Sequence, residues 1–325
     1  MCYPPVQGWA SKAHPDPKGE QLQHLIPILE AIVELCDEVG PTFTWGIVWD
    51  FMSLPQRGRT STYDAATDDR SSEEVLRFVR GLTNINVWYG ARYTHTLVLN
   101  IPMPEGSENA TPYDRRGWCI FERSLSALIK DDYCYLELGE MSGKTSGWEE
   151  LRDECKAHRS APVAPDAFEK IMREGVEREE KMAGSGIKFT SGKDLTVVVI
   201  PQYQRAFLKL MGSATELMYT HLDWGDEEAA RLAAAFQYAH GRGAMAQLKV
   251  SWRLTALDAC LEPWRACSPG LTVSFDVPYV PYAGALPRRQ PDRRRRRDGF
   301  GQRLRRWGNG AVAGELAPHC LGLMP

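Results

Sequence analysis

The chain has 325 residues, 43% of them hydrophobic, which is enough to bury a sizeable core in one or two domains. A net charge of −3 excludes a general polyanion binder, although ten arginines fall between 288 and 306 against only Asp292 and Asp298. Eight cysteines without CxxC spacing, seven histidines without HExxH, no apolar signal core in MCYPPVQGWASK and no membrane-length apolar stretch lead us to expect a cytoplasmic protein with reduced thiols and no metal site.

In chain order, 21–39 carries Leu22, Leu25, Ile26, Leu29, Ile32, Val33 and Leu35 at helical spacing and ends at Gly40 and Pro41. The unbroken apolar run 42–50, TFTWGIVWD, reads as a buried strand. Ser71 and Ser72 offer an N-cap for a helix over 73–89, with Val75, Leu76, Val79 and Leu82 expected inward. Next come a strand at 96–101, a helix at 113–129 and a strand at 134–138. This alternation predicts a doubly wound α/β sheet over residues 1–140. No convincing strand precedes the first helix, so the first strand is expected to be very short or missing.

Residues 141–265 read as a mostly helical extension. A charged, solvated helix is expected at 166–182, a strand at 194–200 in DLTVVVI, and helices at 202–217 and 227–238. From 266 to 325 Pro, Gly and Arg dominate, which predicts a disordered tail. Its arginine run is the one place where nucleic acid or a nuclear-import receptor could bind, and a solvated tail is the expectation.

Two segments carry candidate chemistry. In WGIVWDFMSLPQ, Asp50, Ser53 and Gln56 follow a strand, where ligands bind along the carboxyl edge of open α/β sheets. The alternative is plain turn chemistry, with Asp50 as a cap. In YDRRGWCIFERSLSAL, 113–128, Asp114 caps a helix whose core stripe is Trp118, Phe121, Leu125 and Leu128. Glu122 stands beside that stripe near the helix N-terminus, whose dipole favours an ionised carboxylate. The alternative for Glu122 is a salt bridge to Arg115, Arg116 or Arg123, and for Cys119 a small buried filler.

RGWCIFERSLSAL resembles the WCxxEL signature of TIR domains: Trp118, Cys119 and Glu122 match, and Arg123 stands where leucine is usual. The chain is similar, more closely, to a set of proteins from single-celled algae with three recurring pieces. These are W…HPDP…Q, present here as Trp9, His14, Pro15, Asp16, Pro17 and Gln21; WDFxSLPQ at 49–56; and Y-x-x-RGWCxFE at 113–122. The fungal HET domain is a more distant likeness. The match covers roughly residues 9–140. In the algal proteins the W…HPDP piece follows the first strand, so a central strand is expected to be lost.

The resemblance implies a TIR-like, flavodoxin-like sheet, a signalling or stress-response role, and Glu122 as the catalytic residue of members that hydrolyse NAD. NAD would then be substrate, with no permanently bound cofactor. On position, Trp9 and Phe51 are stacking surfaces, Arg115 and Arg116 lie near the phosphates, Trp118 gives packing support, and Asp50 and Ser53 line the sheet edge. A non-catalytic module that assembles homotypically is the alternative, as is an inactive divergent chain. Residues 222–252 are similar to one leucine-rich repeat of the ribonuclease-inhibitor type, or form an ordinary amphipathic helix.

Overall fold

The computed structural model describes residues 2–11, 14–40, 46–57, 68–144, 147–155, 159–219, 222, 224–244, 249–252 and 273–274. The chain is a mixed α/β protein, mostly helical, around small parallel sheets. In order, the elements are β1 (Cys2–Tyr3), β2 (Pro5–Val6), α1 (Glu20–Val39), β3 (Gly46–Ile47), α2 (Asp50–Ser53), α3 (Ser72–Thr83), α4 (Ile85–Gly90), β4 (Thr96–Val98), α5 (Gly117–Ser126) and β5 (Tyr135–Glu137). There follow α6 (Trp148–Cys155), α7 (Pro165–Lys181), α8 (Ile200–Ser213), β6 (Glu216–Tyr219), α9 (Asp226–His240), β7 (Lys249–Trp252) and β8 (Val273–Ser274). No helix among the described residues is long and apolar enough to cross a membrane.

The first strand is present and very short, one of the two alternatives the sequence left open, and its expected loss is overturned. β1 pairs in parallel with β3, and β2 pairs in parallel with β4, which pairs with β5. Only Pro4 separates β1 from β2, so one extended segment serves both neighbours. Its carbonyls alternate: Tyr3 accepts from Val48 N at 3.3 Å on one side, and Pro4 and Val6 accept from Leu97 N at 3.1 Å and Leu99 N at 2.9 Å on the other. Pro4 and Pro5 donate nothing to a ladder, which is why the sequence hides this strand.

Side chains alternate across the sheet. Tyr3, Leu97, Leu99, Leu136 and Leu138 pack with Leu25, Ile28, Leu29 and Ile32 of α1 and Leu151 and Cys155 of α6. Val6, Val98 and Tyr135 face the other way, onto Ile85 and Tyr89 of α4 and Phe121 and Leu125 of α5. That second core continues without a break into α7, α8 and α9 through Phe168, Met172, Tyr203, Phe207, Leu232 and Phe236.

Several elements differ from the sequence expectation. The strand expected at 42–50 is described only from 46, as β3 running into the single turn of α2. The 73–89 helix breaks at Asn84 into α3 and α4. Leu76, Val79 and Leu82 of α3, expected inward, are 48%, 52% and 36% exposed. The 113–129 helix starts as a 3-10 turn, Tyr113–Arg115, and its N-cap is Arg116 rather than Asp114. Leu195–Val199, expected as a strand, is a π-helical turn that leads into α8. Its β-branched residues suggest a strand, but Leu195, Val199, Tyr203, Phe207 and Met211 form one buried stripe at helical spacing, and packing overrides propensity.

α7 is not wholly solvated, because Phe168, Met172 and Gly175 are buried. α9 connects the parallel strands β6 and β7, and β8 pairs with β7. Val273–Ser274 thus has structure where a disordered tail was expected. The rest of 266–325, including the arginine run, lies outside the described residues.

Candidate functional site

The site lies past the carboxyl ends of β2 and β3. Glu122, on α5, is 7% exposed. Its carboxyl is pushed well above the usual range, first by burial and then by the charge of Asp50, against a smaller opposing pull from the Tyr89 hydroxyl. The helix dipole was expected to favour ionisation, and burial outweighs it. Asp50 opens α2, where its Oδ1 accepts the Phe51 N–H at 2.7 Å. Burial raises its pKa as well, while that N–H and the nearby Trp9 indole favour its charged form. Both carboxyls are thus held above their ordinary range, and the charge of Asp50 adds to the burial that raises Glu122.

An aromatic cover lies beside the carboxyls. The Trp9 and Phe51 rings meet edge to face at 5.6 Å, and His14 sits 4.5 Å from the Phe51 ring. Burial lowers the His14 pKa against the charge of Asp16, and its Nδ1 accepts from Asp16 N at 2.9 Å. Tyr89 donates its hydroxyl to the Pro5 carbonyl at 3.0 Å and borders Glu122 from α4.

Each of the three sequence pieces has a physical role at this place. In the first, Gln21 is 1% exposed and donates to the Gly8 and Pro15 carbonyls at 2.8 and 3.0 Å. Asp16 Oδ2 accepts Leu22 N at 2.8 Å, and Ala10 N donates to Pro15 O at 2.8 Å. HPDP and Gln21 thus brace the loop that carries Trp9. In the second, Ser53 Oγ accepts Trp49 N at 3.0 Å and Gln56 donates to the Leu54 carbonyl, so both hold the turn that presents Asp50 and Phe51. In the third, Arg116 donates to the carbonyls of Trp9, Asn109 and Thr111 at 2.7, 2.8 and 2.8 Å. Gly117 is needed because a Cβ there would lie 2.2 Å from the Phe189 ring. Cys119 Sγ donates to the Gln7 carbonyl at 3.3 Å.

Of the residues expected from sequence, the fold brings Trp9, Asp50, Phe51 and Glu122 together. Ser53 shapes the turn beside them. Arg116 braces the Trp9 loop, and its guanidinium is committed to main-chain carbonyls. Arg115 lies near the turn at Gly184 and Glu179, and Trp118 donates to Asp194 Oδ2 at 3.0 Å, so both face the α7–α8 side. Neither Arg116 nor Arg123 pairs with Glu122: Arg123 is 2.8 Å from Glu137 and donates to the Tyr135 hydroxyl. Sequence reasoning missed Tyr89, which lies in none of the three pieces.

Among the described residues, no three His, Cys, Asp or Glu side chains gather as a metal site. No family model, no curated protein and no solved structure matches the chain.

Proposed function

We propose that this protein is a TIR-like or HET-like signalling domain that hydrolyses the nicotinamide–ribose bond of NAD at Glu122 and Asp50. The observation that carries the reading is the meeting of a buried Glu122 with Asp50 beside Trp9 and Phe51, past the carboxyl ends of parallel strands. The strand pairing supports the doubly wound, flavodoxin-like arrangement. The N-terminal segment lies between β3 and β4, β5 lies beyond β4, and helices cover both faces.

The chemistry needs little from the protein. The C1′–N bond breaks with its electron pair going to the pyridinium nitrogen, so nicotinamide leaves neutral and no general acid is required. The Glu122–Asp50 pair supplies negative charge and hydrogen bonds to the ribose hydroxyls, and so stabilises the oxocarbenium-like transition state. Trp9 and Phe51 offer aromatic surface to the cationic ring. Water adds to C1′, and its proton passes to the carboxylate pair and then to solvent, leaving ADP-ribose.

The test is NAD consumption and nicotinamide release by the whole chain at high protein concentration. Glu122→Ala is expected to lower the rate at least about 100-fold, the usual loss for one electrostatic group of this kind. Equal rates in wild type and variant, or none in either, would sink the enzymatic reading.

A second reading, homotypic assembly without catalysis, is favoured by one observation: Leu76, Val79 and Leu82 share an exposed face of α3, with a second copy of the chain as the expected cover.

A further inference from the structure

The Tyr89 hydroxyl is a buried titratable group that the chemistry above does not use. Tyr89 is 2% exposed, on α4, and its hydroxyl donates to the Pro5 carbonyl at 3.0 Å. The sheet explains why that carbonyl is open to it. The carbonyls of the N-terminal segment alternate, so Tyr3 and Pro5 face the β3 side while Pro4 and Val6 face β4. Tyr3 accepts Val48 N–H, and a parallel ladder that continued would bring Asp50 N–H to Pro5. The chain instead leaves the sheet at Asp50 to form α2. The Tyr89 hydroxyl takes the Pro5 carbonyl in its stead, which places that hydroxyl where β3 ends and Asp50 begins.

From there the same hydroxyl is within hydrogen-bonding reach of the Glu122 carboxyl. A hydroxyl has one hydrogen to give. The Pro5 carbonyl and an ionised Glu122 are both acceptors, so the hydrogen serves one of them at a time. The other donors around Glu122 are committed elsewhere. Arg116 holds three main-chain carbonyls, Arg123 holds Glu137 and the Tyr135 hydroxyl, Cys119 donates to the Gln7 carbonyl, and the Trp9 indole bonds Asp50. The Tyr113 hydroxyl has no hydrogen-bond partner among the described residues. Burial keeps Tyr89, Tyr113 and Cys119 un-ionised, so Asp50 is the charge that faces the Glu122 carboxyl.

We infer that Tyr89 is the positioning residue of Glu122, a hydrogen switch whose hydroxyl serves the Pro5 carbonyl while Glu122 is protonated and turns to the carboxylate when Glu122 ionises. A hydrogen bond to a carboxylate is roughly twice as strong as one between neutral groups, so the ionised state captures the hydrogen. The Pro5 carbonyl then loses its donor, and the protonation state of the site is carried into β2. The switch concerns the carboxyl itself and stands whether or not NAD is the substrate.

The experiment follows the Pro5 carbonyl by NMR. A chain labelled with carbon-13 at proline carbonyls and nitrogen-15 at valine gives carbonyl signals from the Pro5–Val6 and Pro162–Val163 pairs alone, and Val163→Ile assigns them. In wild type the Pro5 signal is expected to titrate together with the side-chain carboxyl of Glu122, while the Pro162 signal stays still. In Glu122→Gln the Pro5 titration is expected to vanish. In Tyr89→Phe, which keeps the ring in the core, the Glu122 pKa is expected to rise by about half a pH unit or more, because the ionised form loses the stronger bond. A Pro5 signal that does not titrate in wild type, or that titrates equally in Glu122→Gln, overturns the inference. So does an unchanged Glu122 pKa in Tyr89→Phe, which makes Tyr89 only a cap on Pro5. If Tyr89→Phe does not fold, wild type against Glu122→Gln decides. If wild type cleaves NAD, the acidic limb of its pH–rate profile is expected to move to higher pH in Tyr89→Phe, and a limb that stays in place counts against the switch. No cleavage by wild type sinks the NAD reading and leaves the Pro5 titration to decide the role of Tyr89.

Discussion

The Glu122 carboxyl is held well above its ordinary value of 4.5 by burial, with the Asp50 charge adding to it. The folded chain therefore keeps this proton to higher pH than the unfolded chain does. The associated stability is present in full below the unfolded value and is lost as pH rises through the folded one. Glu122→Gln keeps the shape and removes the ionisation. Its Tm should match wild type near pH 4 and exceed it increasingly toward pH 8. Thermal melts across that range check this, and a variant no more stable than wild type at pH 8 would contradict the burial argument. If the proposed NAD cleavage holds, the same substitution should lower it, so stability and activity would move in opposite directions at this residue.

At the scale of the element, α3 and α5 make a useful contrast. Both were expected to turn an apolar stripe inward. α3 is well started, with Ser71 Oγ accepting Glu74 N at 3.3 Å and Glu74 Oε2 accepting Ser71 N at 2.9 Å. Yet it leaves Leu76, Val79 and Leu82 exposed, whereas Phe121 and Leu125 of α5 and Leu128 just beyond it are fully buried. The doubly substituted Leu76→Lys, Val79→Lys chain should keep its unfolding free energy to within about 0.5 kcal/mol per site. It should also lose any self-association that wild type shows in sedimentation velocity. Phe121→Ala, by comparison, should cost about 3–5 kcal/mol in a urea melt. If the double lysine variant unfolds instead, α3 is packed in solution and the assembly reading loses its surface.

At the scale of the molecule, α7, α8 and α9 complete the core behind α5 rather than adding to it from outside, while α6 packs with α1 on the other face. Phe168 stacks on Tyr203 at 3.8 Å, Tyr203 donates to the Val163 carbonyl at 2.8 Å, and the Tyr219 hydroxyl reaches the Leu128 carbonyl. A chain ending at residue 141 would leave the outer surface of α4 and α5 in water. It should show no cooperative thermal transition by near-ultraviolet circular dichroism, and a sharp melt from that fragment would show that the sheet and its two inner layers suffice alone.

The sequence by itself determined the helices with clean periodicity, α1, α7 and α9, the strands around Leu97 and Leu136, and the three pieces that hold Trp9, Asp50 and Glu122. These are local properties, set by spacing and residue type along one stretch of chain. Only the tertiary structure decided the rest. It placed a strand where Pro4 and Pro5 argued against one, because carbonyls alternating to β3 and β4 suffice for pairing. It turned a valine-rich strand candidate into a helical turn, because Leu195 and Val199 meet the same core as Tyr203. It set the Glu122 proton by burial rather than by the helix dipole. Burial and proximity between residues a hundred positions apart follow from packing, and no local pattern in the chain encodes them.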